Sequence, residues 1–346
     1  MPTAAVVPHA PEALPQPYLL FLGDIVEPGY AKTAFGLRDW APERCLGEFA
    51  CPGATVSTGL PRLTPAQARA LGARAMVIGV ANPGGRIPPA WVPALLDALQ
   101  AGLDLVGGMH ARLAGIDVLR NSAIAHGRRL IDVREPPSDL PVASGRKRTG
   151  KRLLTVGTDC ALGKKYTALS LARAFRERGL DATFRASGQT GILIAGAGVP
   201  MDAVIADFAA GAAEFLSPDA DPAHWDVVEG QGSLSHPAYA GVSLSLLHGS
   251  QPDVIVVCHA VGRERMLGHA HYRVPSIEET IDLALRLGAR TNPAIRCAGV
   301  SLNTAALDDA DAQDAIASTA ARLGLPVADP VRGGAAFERL VDACLA

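Results

Sequence analysis

The chain has no excess of positive charge. Its 32 Lys and Arg residues face 34 Asp and Glu, for a formal net charge of −2, so no basic field points to nucleic acid or an acidic membrane surface as the main partner. It also lacks cysteine pairs at metal-binding spacing. The six cysteines, at 45, 51, 160, 258, 297 and 344, are scattered, which fits a reduced, cytoplasmic protein. No segment reaches transmembrane length without Gly, Pro or charge. Residues 1–17 are interrupted by proline and carry no basic apolar run, so they do not read as a signal peptide. There is no internal repeat, and no low-complexity segment beyond alanine-rich helices. The 346 residues, 49% hydrophobic and 19% charged, are enough for two domains with separate cores and too apolar for extensive disorder. A soluble two-domain α/β enzyme is expected.

Short apolar runs alternate with helix-length segments throughout. Tyr18 to Gly23, Ala75 to Val80 and Leu103 to Val106 read as strands, and Trp91 to Ala101 as a helix. This alternation predicts a parallel, Rossmann-like sheet over residues 1–140. A stretch rich in Pro, Gly and basic residues follows, and the Arg146-Lys147-Arg148 cluster with Lys151-Arg152 reads as a solvated linker, placed at 141–151. From 152 to 346 the strand-like runs recur at 182–186, 225–229, 254–258 and 297–302. Short, apolar and bounded by polar loops, they predict a second doubly wound parallel sheet.

One stretch carries more chemistry than any other. Leu153 to Val156 reads as a strand and Thr167 to Phe175 as a helix; between them lies Gly157-Thr158-Asp159-Cys160-Ala161-Leu162-Gly163-Lys164-Lys165. Glycines let backbone N–H groups wrap an anion, the helix N-terminus adds partial positive charge, and Lys164 supplies a full one. Five residues separate the glycines where the common phosphate loop has four. Lys165 stands where that loop has a Ser or Thr to hold Mg²⁺. The anion-binding half of the apparatus is intact, and the metal-dependent half is in doubt. Thr167 could substitute for the hydroxyl only with a changed geometry. A Gly-rich turn followed by a solvated lysine pair is the plainer reading of the same residues.

In a doubly wound sheet, ligands lie outside the carboxyl ends of the strands. Ser187 to Gly191, Glu229 to Pro237, Cys258-His259 with Gly262 to Arg265, and Asn303-Thr304 all fall at such ends. Glu229 directly follows a buried strand, where a carboxylate needs a partner such as Lys164 or a ligand. His236, before a proline, is a candidate acid or base. Arg263 and Arg265 could clamp a phosphate or carboxylate, or be solvated. His269 and His271 have no third ligand at metal spacing, so no metal site is expected. In the first half, Lys32, Arg44, His110 and Arg112 lie near strand ends and could serve a small dianion, with ordinary surface charge as the alternative for each.

The opening Gly157-Thr158-Asp159 and the five-residue spacing resemble the phosphate loop of dethiobiotin synthetase-like NTPases. Glu229-Gly230 and Asn303 fall where that fold has its acidic loop and base-reading asparagine. A fuller resemblance, over nearly the whole chain, is to the DgcN-like family. It rests on Lys32-Thr33-Ala34, Asn82-Pro83-Gly84-Gly85, Gly107-Gly108-Met109-His110, Asp132 to Pro137, the phosphate loop, Gly188 to Ile194, Asp202 to Phe208, Glu229 to Leu234, His236 to Tyr239 and Leu247 to Pro252.

That resemblance implies a D-glutamate N-acetyltransferase of D-amino acid catabolism, with acetyl-CoA as co-substrate and no metal. The loop residues Gly157, Thr158, Asp159, Cys160, Gly163, Lys164 and Lys165, with Gln189 and Asn303, would hold the coenzyme. Lys32, Arg44, Arg263 and Arg265 would grip the two carboxylates of the acceptor. Glu229, His236 and His110 are the candidates for the group that deprotonates its ammonium, and N–H groups around 230–233 for holding the developing oxyanion. Direct attack by the amine is the more economical route, although an acetyl-cysteine at Cys160 is conceivable. An ATP- and Mg²⁺-dependent ligase or carboxylase of the dethiobiotin synthetase type is the main alternative, and a non-enzymatic nucleotide-binding regulator another. A small amino acid is the expected partner, with no nucleic acid or membrane, and self-association is expected.

Overall fold

The structure, a computed structural model, describes residues 14–346. Residues 1–13, which hold most of the segment read above as not a signal peptide, lie outside the described part. Two compact units divide the chain near Pro136, with residues 189–200 belonging to the first. Each is an α/β layer structure, as the alternating pattern requires.

The N-terminal unit has five parallel strands, β1 (Tyr18–Phe21), β2 (Cys45–Phe49), β3 (Ala75–Ile78), β4 (Asp104–Gly107) and β5 (Leu130–Asp132), in the order β2-β1-β3-β4-β5. Helices α1 (Lys32–Trp40), α2 (Pro65–Ala70), α3 (Val92–Gln100) and α4 (Asp117–Ala125) connect them. Strands β1 and β3 are wholly buried, which is why they read as continuous apolar runs. Strands β2 and β5 escaped the sequence reading for physical reasons. The first carries Gly47 and the buried Glu48, whose carboxylate accepts from the Thr58 N–H at 2.6 Å and the Ser57 hydroxyl at 2.7 Å. The second is three residues long and half-buried.

In the C-terminal unit a parallel sheet runs β13-β12-β9-β6-β8-β7, built from β6 (Lys151–Gly157), β7 (Ala182–Arg185), β8 (Trp225–Val228), β9 (Val254–Ala260), β12 (Arg296–Asn303) and β13 (Val327–Ala328). Between β9 and β12 stands a separate antiparallel hairpin, β10 (Arg265–Met266) and β11 (His269–Arg273). Helices α5 (Lys164–Glu177), α6 (Gln189–Ala195), α7 (Ala206–Leu216), α8 (Ala240–Ser250), α9 (Ile277–Gly288), α10 (Asp309–Leu323) and α11 (Gly334–Leu345) complete the chain order. Strand β6 is central, flanked by β8 and β9, so the loop after it opens where the strand order reverses.

Two expectations are corrected here. Within the basic cluster Arg146, Lys147 and Lys151 are exposed, but two residues are not solvated: Arg148 is 6% exposed and Arg152 fully buried. The Arg148 guanidinium donates to the carbonyls of Ser217 at 2.7 Å and Gly249 at 2.7 Å. That of Arg152 reaches the carbonyls of Thr149 at 2.8 Å and Pro218 at 2.9 Å. A guanidinium has five donors in a rigid fork, so it can close several chain ends at once. Burial pushes both arginines below their ordinary pKa, Arg148 to about 10. The second correction concerns α6, which the sequence reading assigned to the C-terminal domain. It packs within the N-terminal unit, where the Thr190 and Thr33 hydroxyls are 2.9 Å apart and buried.

Candidate active site

The loop between β6 and α5 joins a buried strand to a helix start through two glycines. Helix α5 starts at Lys164 after Gly163, whose φ of 105° is open to glycine and strained for other residues, and no side chain caps its first N–H groups. Ala161 also takes a positive φ, 52°. Lys164 is buried and folds back so that its Nζ donates to the Asp159 carbonyl at 2.7 Å. Burial pulls its pKa down, against the pull upward of Cys258, Cys160, Asp159 and Glu229. A methyl group at Gly157 would meet both the Asp159 carbonyl and Lys164 Nζ at 3.1 Å, so glycine keeps the space under the lysine open. The Thr158 hydroxyl lies 3.0 Å from His259 Nδ1 at the end of β9.

Asp159 is fully buried and holds the loop to the hairpin. Its Oδ1 accepts from the Cys160 N–H at 2.6 Å, and its Oδ2 from the Leu267 N–H at 2.9 Å and Arg263 Nη1 at 3.3 Å. Arg263 Nη1 also donates to the Cys160 carbonyl at 2.8 Å. His236 comes in from the other side, its ring stacked on Tyr239 at 4.6 Å and meeting His269 edge-on at 4.8 Å. Its Nε2 lies 3.8 Å from Asp159 Oδ1.

Glu229 ends the neighbouring strand. It is 4% exposed, and its Oε2 accepts from the Ser187 N–H at 3.0 Å and the Gly188 N–H at 3.2 Å. Burial pushes its pKa up to about 7, against Lys165, those two N–H groups and Lys164.

Residues 141–341 match the family model described as the domain of unknown function DUF1611, P-loop domain, and residues 49–136 match its Rossmann-like N-terminal partner. The chain belongs to the DUF1611 family. A crystal structure of a DUF1611 family protein from Anabaena variabilis superposes with a TM-score of 0.86 at 36% identity, covering 95% of this chain and 99% of that one. A Pseudoalteromonas relative is 48% identical over 92% of this chain and 96% of its own, and one from Tritonibacter scottomollicae 49% identical over 95% and 98%. Each is named D-glutamate N-acetyltransferase.

Within this DUF1611 chain the candidate residues fall into two sets. Gly157, Thr158, Asp159, Cys160, Gly163, Lys164 and Lys165 form the loop, with Glu229 and His236 on its flanks. Arg263 is committed to bracing the loop, and Arg265, exposed, begins the hairpin. Asn303 ends β12, its Oδ1 accepting from the Ala305 N–H at 3.1 Å. The other four belong to the N-terminal unit. Lys32 opens α1; Arg44 Nη1 donates to the Ile194 carbonyl at 2.9 Å; His110 is exposed beside Gly85; Gln189 opens α6 against Gly108. The sequence reading missed Leu267, Ser187 and Gly188 as partners of Asp159 and Glu229. They act through main-chain N–H groups, which leave no mark on residue type. The Thr167 hydroxyl lies 2.8 Å from that of Ser301 and donates to the Gly163 carbonyl at 3.2 Å.

The raised pKa of Glu229 has a thermodynamic consequence. The folded chain binds this proton more tightly than the unfolded chain, so between the ordinary value of 4.5 and about 7 the group's contribution to stability falls as pH rises. Glu229→Gln removes that dependence. Its unfolding midpoint should gain on the wild type from pH 5 to pH 8, measured in parallel at both values. A gap that does not change with pH would show that the carboxyl is not held protonated by its burial.

Among the described residues no helix is long and apolar enough to cross a membrane.

Proposed function

We propose that this protein is a D-glutamate N-acetyltransferase that takes its acetyl group from acetyl-CoA and holds the phosphates of the coenzyme in the loop after β6. The observation that carries the reading is the near full-length similarity to two relatives of that name. The loop supports it on chemical grounds. Uncapped helix N–H groups, a glycine-lined floor and a buried lysine suit a phosphate. Acyl transfer breaks no phosphoanhydride, so Lys165 in place of the Mg²⁺ hydroxyl is compatible with it. In the reaction the amine of D-glutamate attacks the thioester carbonyl and a C–N bond forms. The C–S bond then breaks and the thiol of coenzyme A leaves with a proton, while a base takes the other proton from the ammonium.

The length of the pantetheine arm constrains the roles. Phosphates and thioester cannot both occupy the loop. With the phosphates there, Glu229 and His236 serve the anion, which leaves His110 of the three candidate bases.

The first experiment is thiol release from acetyl-CoA with D- or L-glutamate, without ATP or added metal. Release that requires D-glutamate, with N-acetylglutamate identified by mass spectrometry, is the expected result. ATP consumption with Mg²⁺ and no thiol release would sink the proposal. Glu229→Gln separates the two placements of the donor. A changed Kd for coenzyme A with kcat kept is expected; a kcat loss of about 100-fold or more at unchanged Kd would place the thioester, not the phosphates, beside Glu229.

A further inference from the structure

His236 entered the sequence reading as a candidate base, and its surroundings argue for a different role. The Ala238 N–H donates to its Nδ1 at 3.1 Å. A ring nitrogen that accepts a hydrogen bond carries no hydrogen, so the neutral ring has its hydrogen on Nε2. His236 is 1% exposed, and among the described residues its Nε2 has no partner at hydrogen-bond geometry. The nearest carboxylate oxygen, Asp159 Oδ1 at 3.8 Å, is beyond reach. The N–H groups of Cys160 and Leu267 and the guanidinium of Arg263 hold Asp159 in that position, 3.8 Å from the ring. The ring cannot readily turn away either, held between Tyr239 and His269. The result is a buried, oriented N–H beside the loop that meets no acceptor at hydrogen-bond geometry among the described residues, the Leu267 backbone acting on the ring without closing such a bond, a costly arrangement unless a ligand supplies the acceptor.

We infer that His236 serves the ligand of the phosphate loop as a neutral Nε2–H donor to a phosphate oxygen. The inference rests on the proposed placement of the coenzyme's phosphates. Two other roles fit the geometry less well. A base needs a lone pair, and the one on this ring is occupied by the Ala238 N–H. A cation is suggested by the grouping of Asp159, Cys160 and His236, whose ligand atoms lie within 4.8 Å of one another. Binding it through Nε2 would move the ring hydrogen to Nδ1, directly against the Ala238 N–H. Burial, opposed by Asp159 and the Leu267 backbone, holds the pKa of the ring below its ordinary value, in keeping with the neutral form.

The test combines ¹⁵N-histidine NMR of the full chain with two variants, using coenzyme A and inorganic pyrophosphate as probes. The spectrum of the ligand-free protein should show His236 as the Nε2–H tautomer, and either probe should shift its Nε2 signal. His236→Gln keeps an amide N–H near the position of Nε2, whereas His236→Phe keeps the ring shape without a donor. The phenylalanine variant should bind coenzyme A about tenfold more weakly and the glutamine variant should recover most of that loss. An Nδ1–H tautomer, or glutamine no better than phenylalanine, would overturn the role. So would binding of either probe that leaves the Nε2 signal unmoved. Failure of both probes to bind the wild-type protein would instead overturn the proposed placement of the phosphates, and this role with it.

Discussion

Lys164→Met is expected to weaken coenzyme A binding by about 10- to 100-fold while leaving the chain folded. The ammonium is the one full positive charge buried within the loop, and it rests on the Asp159 carbonyl at 2.7 Å, a bond it can exchange for a phosphate oxygen. Hydrogen bonds to charged groups contribute about 1.5–3 kcal/mol, which gives the stated range. Stability should not suffer in proportion. Burial already disfavours the charged form of Lys164, so a methionine of similar length removes a desolvation cost along with the contacts. Calorimetric titration with coenzyme A, beside the thermal midpoint, checks both halves. Unchanged affinity would remove the loop from donor binding. A collapse of the midpoint would make Lys164 a structural residue.

The second large effect is expected at Gly230. A Cβ there would lie 1.7 Å from the Thr155 carbonyl oxygen, backbone against backbone, and 3.2 Å from Lys164 Cδ. The Gly230 N–H also donates to the Thr155 hydroxyl at 2.9 Å, tying the Glu229 loop to the phosphate-loop strand. No rotamer relieves such a clash, so β6 and the residues after β8 must separate. Gly230→Ala should cost about 3 kcal/mol or more and lose coenzyme A binding with it. Gly241→Ala, inside α8 where nothing lies within 4 Å of the new carbon, is the control. It should be neutral or stabilising by up to about 1 kcal/mol. Equal midpoints for the two variants would show that the close approach carries no weight.

These two sites differ in how far the sequence announced them. Lys164 was legible because a phosphate cradle needs glycines, a strand, a helix start and a cation in consecutive residues, and a local requirement leaves a local signature. The role of Gly230 was not, because the reason for the glycine is a carbonyl 75 residues earlier in the chain. His236 lies between these cases. The residue type suggested acid–base chemistry, but its tautomer follows from the Ala238 N–H, and its Nε2 stands 3.8 Å from the Asp159 carboxylate.

Local pattern by itself determined the two α/β units, their parallel strands and the position of the phosphate-loop turn. Short apolar runs, helix-length intervals and a Gly-rich strand-to-helix turn are all set by neighbours within a few residues. Tertiary structure decided whatever depends on which distant groups share one space. Arg148 and Arg152 read as solvated until carbonyls from 217–218 and 249 were found around them. Residues 189–200 read as part of the C-terminal domain, yet they pack in the N-terminal unit. Glu229 titrates near neutrality because burial outweighs the two lysines and two N–H groups that favour its charge. Burial, hydrogen-bond satisfaction and proton affinity are sums over such long-range neighbours, and a one-dimensional pattern does not contain them.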